Sequence, residues 1–160
     1  ELVGLGGKLK NVVIMIDISA SMRENNNWIP ATSVIEKWIM NLEVDSVAIV
    51  LFGETAEILV PLQKLNKKSR IKIVDSIKSH KPDDNLTNFF DAFEVAYRVE
   101  EIDTIITFSD GLPSVDINGK NITRDDSDKL ARVLEVHQEI LKKAKDNPEE
   151  IFFIWSLFSL

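Results

Sequence analysis

The chain has 160 residues, 44% of them hydrophobic, enough apolar material for one domain with its own core. Its 19 Lys and Arg against 26 Asp and Glu leave a formal charge of -7, which argues against nucleic acid or an anionic lipid surface as the main partner and favours cations. With no cysteine, disulfides, thiolate metal sites and cysteine catalysis are excluded.

In chain order, the leading "ELVGLGG" precedes rather than follows a strand, and Leu9 stands where a dinucleotide loop needs its third glycine, so it is not read as such a loop. "NVVIMID" (11–17) is a continuous run of branched apolar residues, which predicts a central strand covered on both faces. Residues 29–42 predict a helix opened by Pro30, with Ile29, Ile35, Ile39 and Leu42 inward. "SVAIVLF" (46–52) is a second buried strand. After Gly53 and Glu54, "TAEILVP" reads as its hairpin partner on a sheet edge, ending at Pro61. A helix is predicted over 67–80 with Ile71, Val74 and Ile77 on one stripe.

The loop "KPDDNL" leads to a helix over 87–99, and "DTIITFS" (103–109) is the next strand. Asn118-Gly119 is a two-residue turn signal for a small hairpin between 110 and 123; the spacing of "DINGKN" does not fit a calcium loop. A long helix over 125–145, capped by Ser or Asp, and the strand "IFFIWSL" complete the pattern. The last ten residues are far short of the roughly 20 that cross a bilayer as a helix. Because the chain opens at Glu1 with no signal-like segment, a mature form or an excised domain is expected.

This alternation predicts a single α/β domain over 1–160: a doubly wound open sheet, mostly parallel with one short antiparallel edge strand, and helices on both faces. Ligands of such sheets sit at the carboxyl ends of the strands. There the first strand ends in Asp17, Ser19 and Ser21, two apart and hence on one side of extended chain. The strand at 103–109 ends in Ser109 and Asp110 before Gly111, and the loop before the helix at 87 offers Asp83, Asp84, Asn85 and Thr87. Carboxylates and hydroxyls without histidine or thiolate suit a hard divalent cation such as magnesium, manganese or calcium.

"DISAS" at 17–21, Thr87 in "LTNFFDA" and Asp110 in "FSDGLP" resemble the metal-ion-dependent adhesion site of von Willebrand factor type A (vWA) domains, a Rossmann-like fold. The resemblance spans about residues 8–155 and includes the edge strand after Gly53. It implies that Asp17, Ser19, Ser21, Thr87 and Asp110 hold magnesium, or manganese or calcium, directly or through water. It also implies that a partner protein's Asp or Glu completes the shell. Two departures stand out: Ala20 replaces a glycine common in the family, and "WSLFSL" stands where a turn and final helix are expected, so that helix is expected to be absent.

The bland readings of the same residues are a helix cap for Ser19 and Ser21 and an Asx turn for Asp110. Asp91 is read as complementing a helix amino end, Asp83 and Asp84 as solvated loop acids, and His80 and His137 as surface histidines. Trp28 is either an exposed aromatic contact or a core residue. Asp17→Ala is expected to remove metal while leaving the fold nearly intact, on the premise that the site lies at the surface.

The function expected is a metal-dependent protein-binding module, without catalysis, nucleic acid or membrane insertion. An intracellular module docking on an ATPase or chelatase partner is the alternative. A magnesium-dependent aspartyl phosphatase is a remote third, because the general acid it needs two residues after Asp17 is replaced by Ser19. Location stays open, an extracytoplasmic or cell-surface part of a larger protein being favoured.

Overall fold

The computed structural model describes residues 10–20, 22, 28–81, 86–109, 118, 120, 127–143 and 152–157. In chain order the elements are β1 (Asn11–Asp17), α1 (Trp28–Asn41), β2 (Ser46–Phe52), β3 (Ala56–Lys64), α2 (Lys67–Lys78), α3 (Phe89–Arg98), β4 (Thr104–Ser109), α4 (Ser127–Lys143) and β5 (Phe152–Leu157). The strands form one sheet in the order β3-β2-β1-β4-β5, parallel except for the β2/β3 pair. β1 is thus central, as its unbroken apolar run predicts, and the predicted fold class is observed.

Alternation along β1 splits the core in two. Val12, Ile14 and Ile16 point to one face, where Ile35 and Ile39 of α1 and Ile73, Val74 and Ile77 of α2 cover them. Val13 and Met15 point to the other, against Phe89, Phe90, Phe93 and Ala96 of α3. Residues 12–17 of β1 are all fully buried, which explains why a strand covered on both sides carries no polar alternation.

Several element-level expectations are corrected. Ile29 is 76% exposed and Ile71 47% exposed. Each lies six residues before the residue that anchors its helix face, Ile35 or Ile77, and six residues at about 100° each place a side chain about 120° round the helix. The inward positions are Ala31, Thr32, Ile35 and Ile39 in α1, and Ile73, Val74 and Ile77 in α2.

β3 continues past Pro61 to Lys64. The register runs Ile49↔Val60 and then Val47↔Gln63, so Pro61 and Leu62 together oppose Ala48. This irregularity on an edge strand tolerates the missing proline N–H.

α2 opens with a reciprocal cap in which Asn66 Oδ1 accepts the Ser69 N–H and Ser69 Oγ accepts the Asn66 N–H, both at 2.9 Å. From α2, the Arg70 guanidinium donates to the carbonyls of Ile39 and Leu42, satisfying orphan acceptors at the end of α1. The predicted hairpin around Asn118-Gly119, apart from the turn at Asn118, and the start of the 125–145 helix lie outside the described residues.

Candidate functional site

The chain runs from β1 outward on one side to β2 and β3, then returns to the other side of β1 as β4. The strand order therefore reverses between β1 and β4, and the carboxyl ends of these two strands are where an open α/β sheet places ligands. Asp17 ends β1 and Ser109 ends β4.

Beyond Asp17 the ladder persists for one residue, with Ile18 N–H donating to the Phe52 carbonyl at 2.9 Å. The chain then turns: Ser19 N–H donates to Asp17 Oδ1 at 2.8 Å, and Met22 N–H donates to the Ser19 carbonyl at 3.0 Å. The first of these is the side-chain-to-backbone bond by which aspartate stabilises a turn two residues on. The second oxygen, Asp17 Oδ2, accepts the Ser109 hydroxyl at 2.7 Å. Asp17 and Ser109 are fully buried and Ser19 is 2% exposed.

This burial overturns the premise that Asp17 lies at the surface. The carboxylate sits beneath the sheet edge, where an ionised group persists only with donors or a cation around it.

Thr87 is 7% exposed and precedes α3. Its neighbour Asn88 fixes it to the same edge: Asn88 N–H donates to the Gly53 carbonyl at 2.8 Å, and Gly53 follows Phe52, the register partner of Asp17. Asn88 also caps α3, its Oδ1 accepting the Asp91 N–H at 3.1 Å. Asp91 does more than complement the helix amino end, because its Oδ2 accepts the Ala56 N–H and ties α3 to the start of β3.

Of the five predicted site residues, Asp17 and Ser19 are hydrogen-bonded to each other and Thr87 is brought to the edge of the neighbouring strand. Ser21 and Asp110 lie outside the described residues, as do Asp83 and Asp84. Ser109 is legible as a strand-end residue but not as a partner of Asp17, because that contact depends on the lateral register of strands and joins residues 92 positions apart. Asn88 was readable as a cap one residue inside the predicted helix start.

Trp28 is half-buried against the α1 side of the core. His137 is not a surface histidine. Its side chain is 13% exposed, its ring stands edge-on to Phe90 at 5.3 Å, and Nε2 lies 3.3 Å from Glu94 Oε1 without hydrogen-bond geometry.

Among the described residues no three His, Cys, Asp or Glu side chains gather as a metal cluster. The donors described at the strand ends are instead one buried carboxylate and hydroxyls, all oxygen, which is the donor chemistry of a hard divalent cation. The residues present fit such an ion.

The fold has relatives among solved structures. A von Willebrand factor type A protein from Catenulispora acidiphila aligns with a TM-score of 0.64 and 18% identity, covering 94% of this chain and 35% of that one. Three N-terminal domains of the type V pili tip protein Mfa5 from Porphyromonas gingivalis align at 0.56 and 21%, covering 74% and 23%. The pilus adhesin SpaC from Lactobacillus rhamnosus GG aligns at 0.57 and 16%, covering 68% and 16%. The chain spans about a third or less of the length of these proteins, and at such identities the likeness is one of fold. No curated protein matches the chain. Residues 12–113 match the family model of the von Willebrand factor type A domain, a span that holds β1 from Val12 onward with its Asp17 turn and β4 with Ser109. The chain belongs to the von Willebrand factor type A domain family.

Proposed function

We propose that this domain is a divalent-metal-dependent protein-binding module, in which Asp17, Ser19, Ser21, Thr87 and Asp110 hold magnesium, or manganese or calcium, and a partner's Asp or Glu occupies the remaining position. The observation that carries this reading is the Asp17 carboxylate. It is fully buried at the point where the strand order reverses, with a donor on each oxygen and Thr87 fixed at the same edge. Such placement of a charge is costly in a fold that has no use for it.

The bound ion would supply a positive centre that attracts an outside carboxylate. Asp17 and Asp110 together would balance the charge of a divalent ion and the hydroxyls add only neutral oxygens, so a coordination position stays open to an outside carboxylate oxygen. No catalytic role is assigned, since Ser19 stands where a general acid would be needed beside Asp17. That two of the structural relatives are a pilus tip protein and a pilus adhesin supports an adhesive or interaction role. The net charge of -7 makes nucleic acid and anionic lipid poor partners, and no described helix is long and apolar enough to cross a membrane.

The bridging step is tested with manganese as a paramagnetic probe and acetate as a minimal carboxylate. Water-proton relaxation by the manganese-loaded domain is expected to fall as acetate displaces a bound water. Relaxation indifferent to acetate would contradict the bridging role.

A further inference from the structure

We propose that Ser109 sets the ion preference of this site: by holding one oxygen of Asp17 it hinders chelation through both carboxylate oxygens, favouring magnesium or manganese over calcium. The inference rests on the metal-binding reading above and assigns a role to a residue outside the five predicted ligands. Ser109 is a positioning residue, acting on the ion through Asp17.

Each Asp17 oxygen carries a donor. Oδ1 accepts the Ser19 N–H at 2.8 Å and Oδ2 accepts the Ser109 hydroxyl at 2.7 Å. The backbone that carries each donor is held in place. The Ser19 amide belongs to the turn closed by Met22, and Ser109 is the last residue of a strand paired with β1 through Ile16↔Phe108 on one side and with Leu157 of β5 on the other. Both Asp17 and Ser109 are fully buried, so water does not readily replace the hydroxyl.

A cation that chelates a carboxylate symmetrically must draw on both oxygens at once, and here it competes at each with a hydrogen already in place. An ion that takes a single oxygen, or reaches the carboxylate through a bound water, meets less competition. Magnesium accepts carboxylates in that manner, with octahedral geometry and retained waters. Calcium takes 6–8 oxygens and readily uses a carboxylate through both. Removing the Ser109 hydroxyl relieves Oδ2 of one donor and makes two-oxygen chelation easier.

The test is calorimetric titration of the chelator-treated chain with magnesium and, separately, calcium, on wild type, Ser109→Ala and Ser109→Thr, with unfolding midpoints recorded in EDTA. Wild type is expected to bind magnesium more tightly than calcium. In Ser109→Ala the ratio of the calcium Kd to the magnesium Kd is expected to fall by about tenfold, the scale on which partners of metal ligands act. Ser109→Thr, which keeps the hydroxyl, is expected to retain the wild-type ratio. A Ser109→Ala protein that loses affinity for both ions equally, or a wild type that prefers calcium, would overturn the inference while leaving metal binding standing. A wild type that binds neither ion would overturn the metal reading and this inference with it.

Discussion

Asp17 is held by its own turn and by the strand beside it. Its replacement by alanine leaves the Ser19 N–H and the Ser109 hydroxyl without this acceptor in a buried place, a loss of about 1–3 kcal/mol for a group left unsatisfied. Asp17→Asn keeps an oxygen for one donor while removing the charge. In EDTA, urea unfolding is therefore expected to show Asp17→Ala less stable than wild type by that amount and Asp17→Asn closer to wild type. Equal stability of Asp17→Ala and wild type would mean the two hydrogen bonds contribute nothing net. At this scale the sequence showed a good deal: two-residue spacing put Asp17 and Ser19 at one strand end, where they are found. Burial was not readable, because it depends on what the neighbouring strands bring beside Asp17.

Between elements, α3 and α4 are joined by both a polar and an apolar contact. Gln138 Nε2 donates to the Tyr97 hydroxyl at 3.2 Å, and Leu141 packs against the α3 side of the core. Burial pushes the Tyr97 phenol above its ordinary 10.0; the Gln138 bond opposes the shift and the Glu139 charge adds to it. A phenol whose pKa is raised by folding keeps its proton longer in the native state than in the unfolded chain. Its contribution to stability is therefore complete below about pH 10, the unfolded value, and is lost as pH rises toward the higher folded value. Unfolding free energy measured from pH 8 upward is expected to fall more steeply above about pH 10 in wild type than in Tyr97→Phe. Parallel profiles would contradict this account of Tyr97.

Element type and order followed from apolar patterning, and β1 and β2 match their predicted bounds. Which helix positions face inward was less legible. Ile29 and Ile71 are apolar and near the right spacing, yet both fall outside the buried arc, since hydrophobicity marks what a face tolerates and rotation decides what it covers. Pro61 was misjudged as a terminus because the offset of β2 against β3 is a relation between strands.

For the whole molecule, the order β3-β2-β1-β4-β5 turns local pattern into a site. Residues separated by 92 positions meet only because β4 returns beside β1. The same topology packs helices on the two faces of the sheet, α1 and α2 on one and α3 on the other, and leaves Asp17 and Ser109 side by side at the carboxyl ends of β1 and β4 as its polar edge. The edge is thus left to polar side chains that the core does not need, on a body that bears a charge of -7 and draws cations.

The central claim, that the domain holds a divalent ion at this edge through Asp17, is tested most directly by titrating the chelator-treated chain with magnesium in a calorimeter, with Asp17→Asn in parallel. One site in wild type and none in the folded Asp17→Asn protein is the result predicted. Binding that survives in Asp17→Asn, or no binding by wild type at millimolar magnesium, would contradict it.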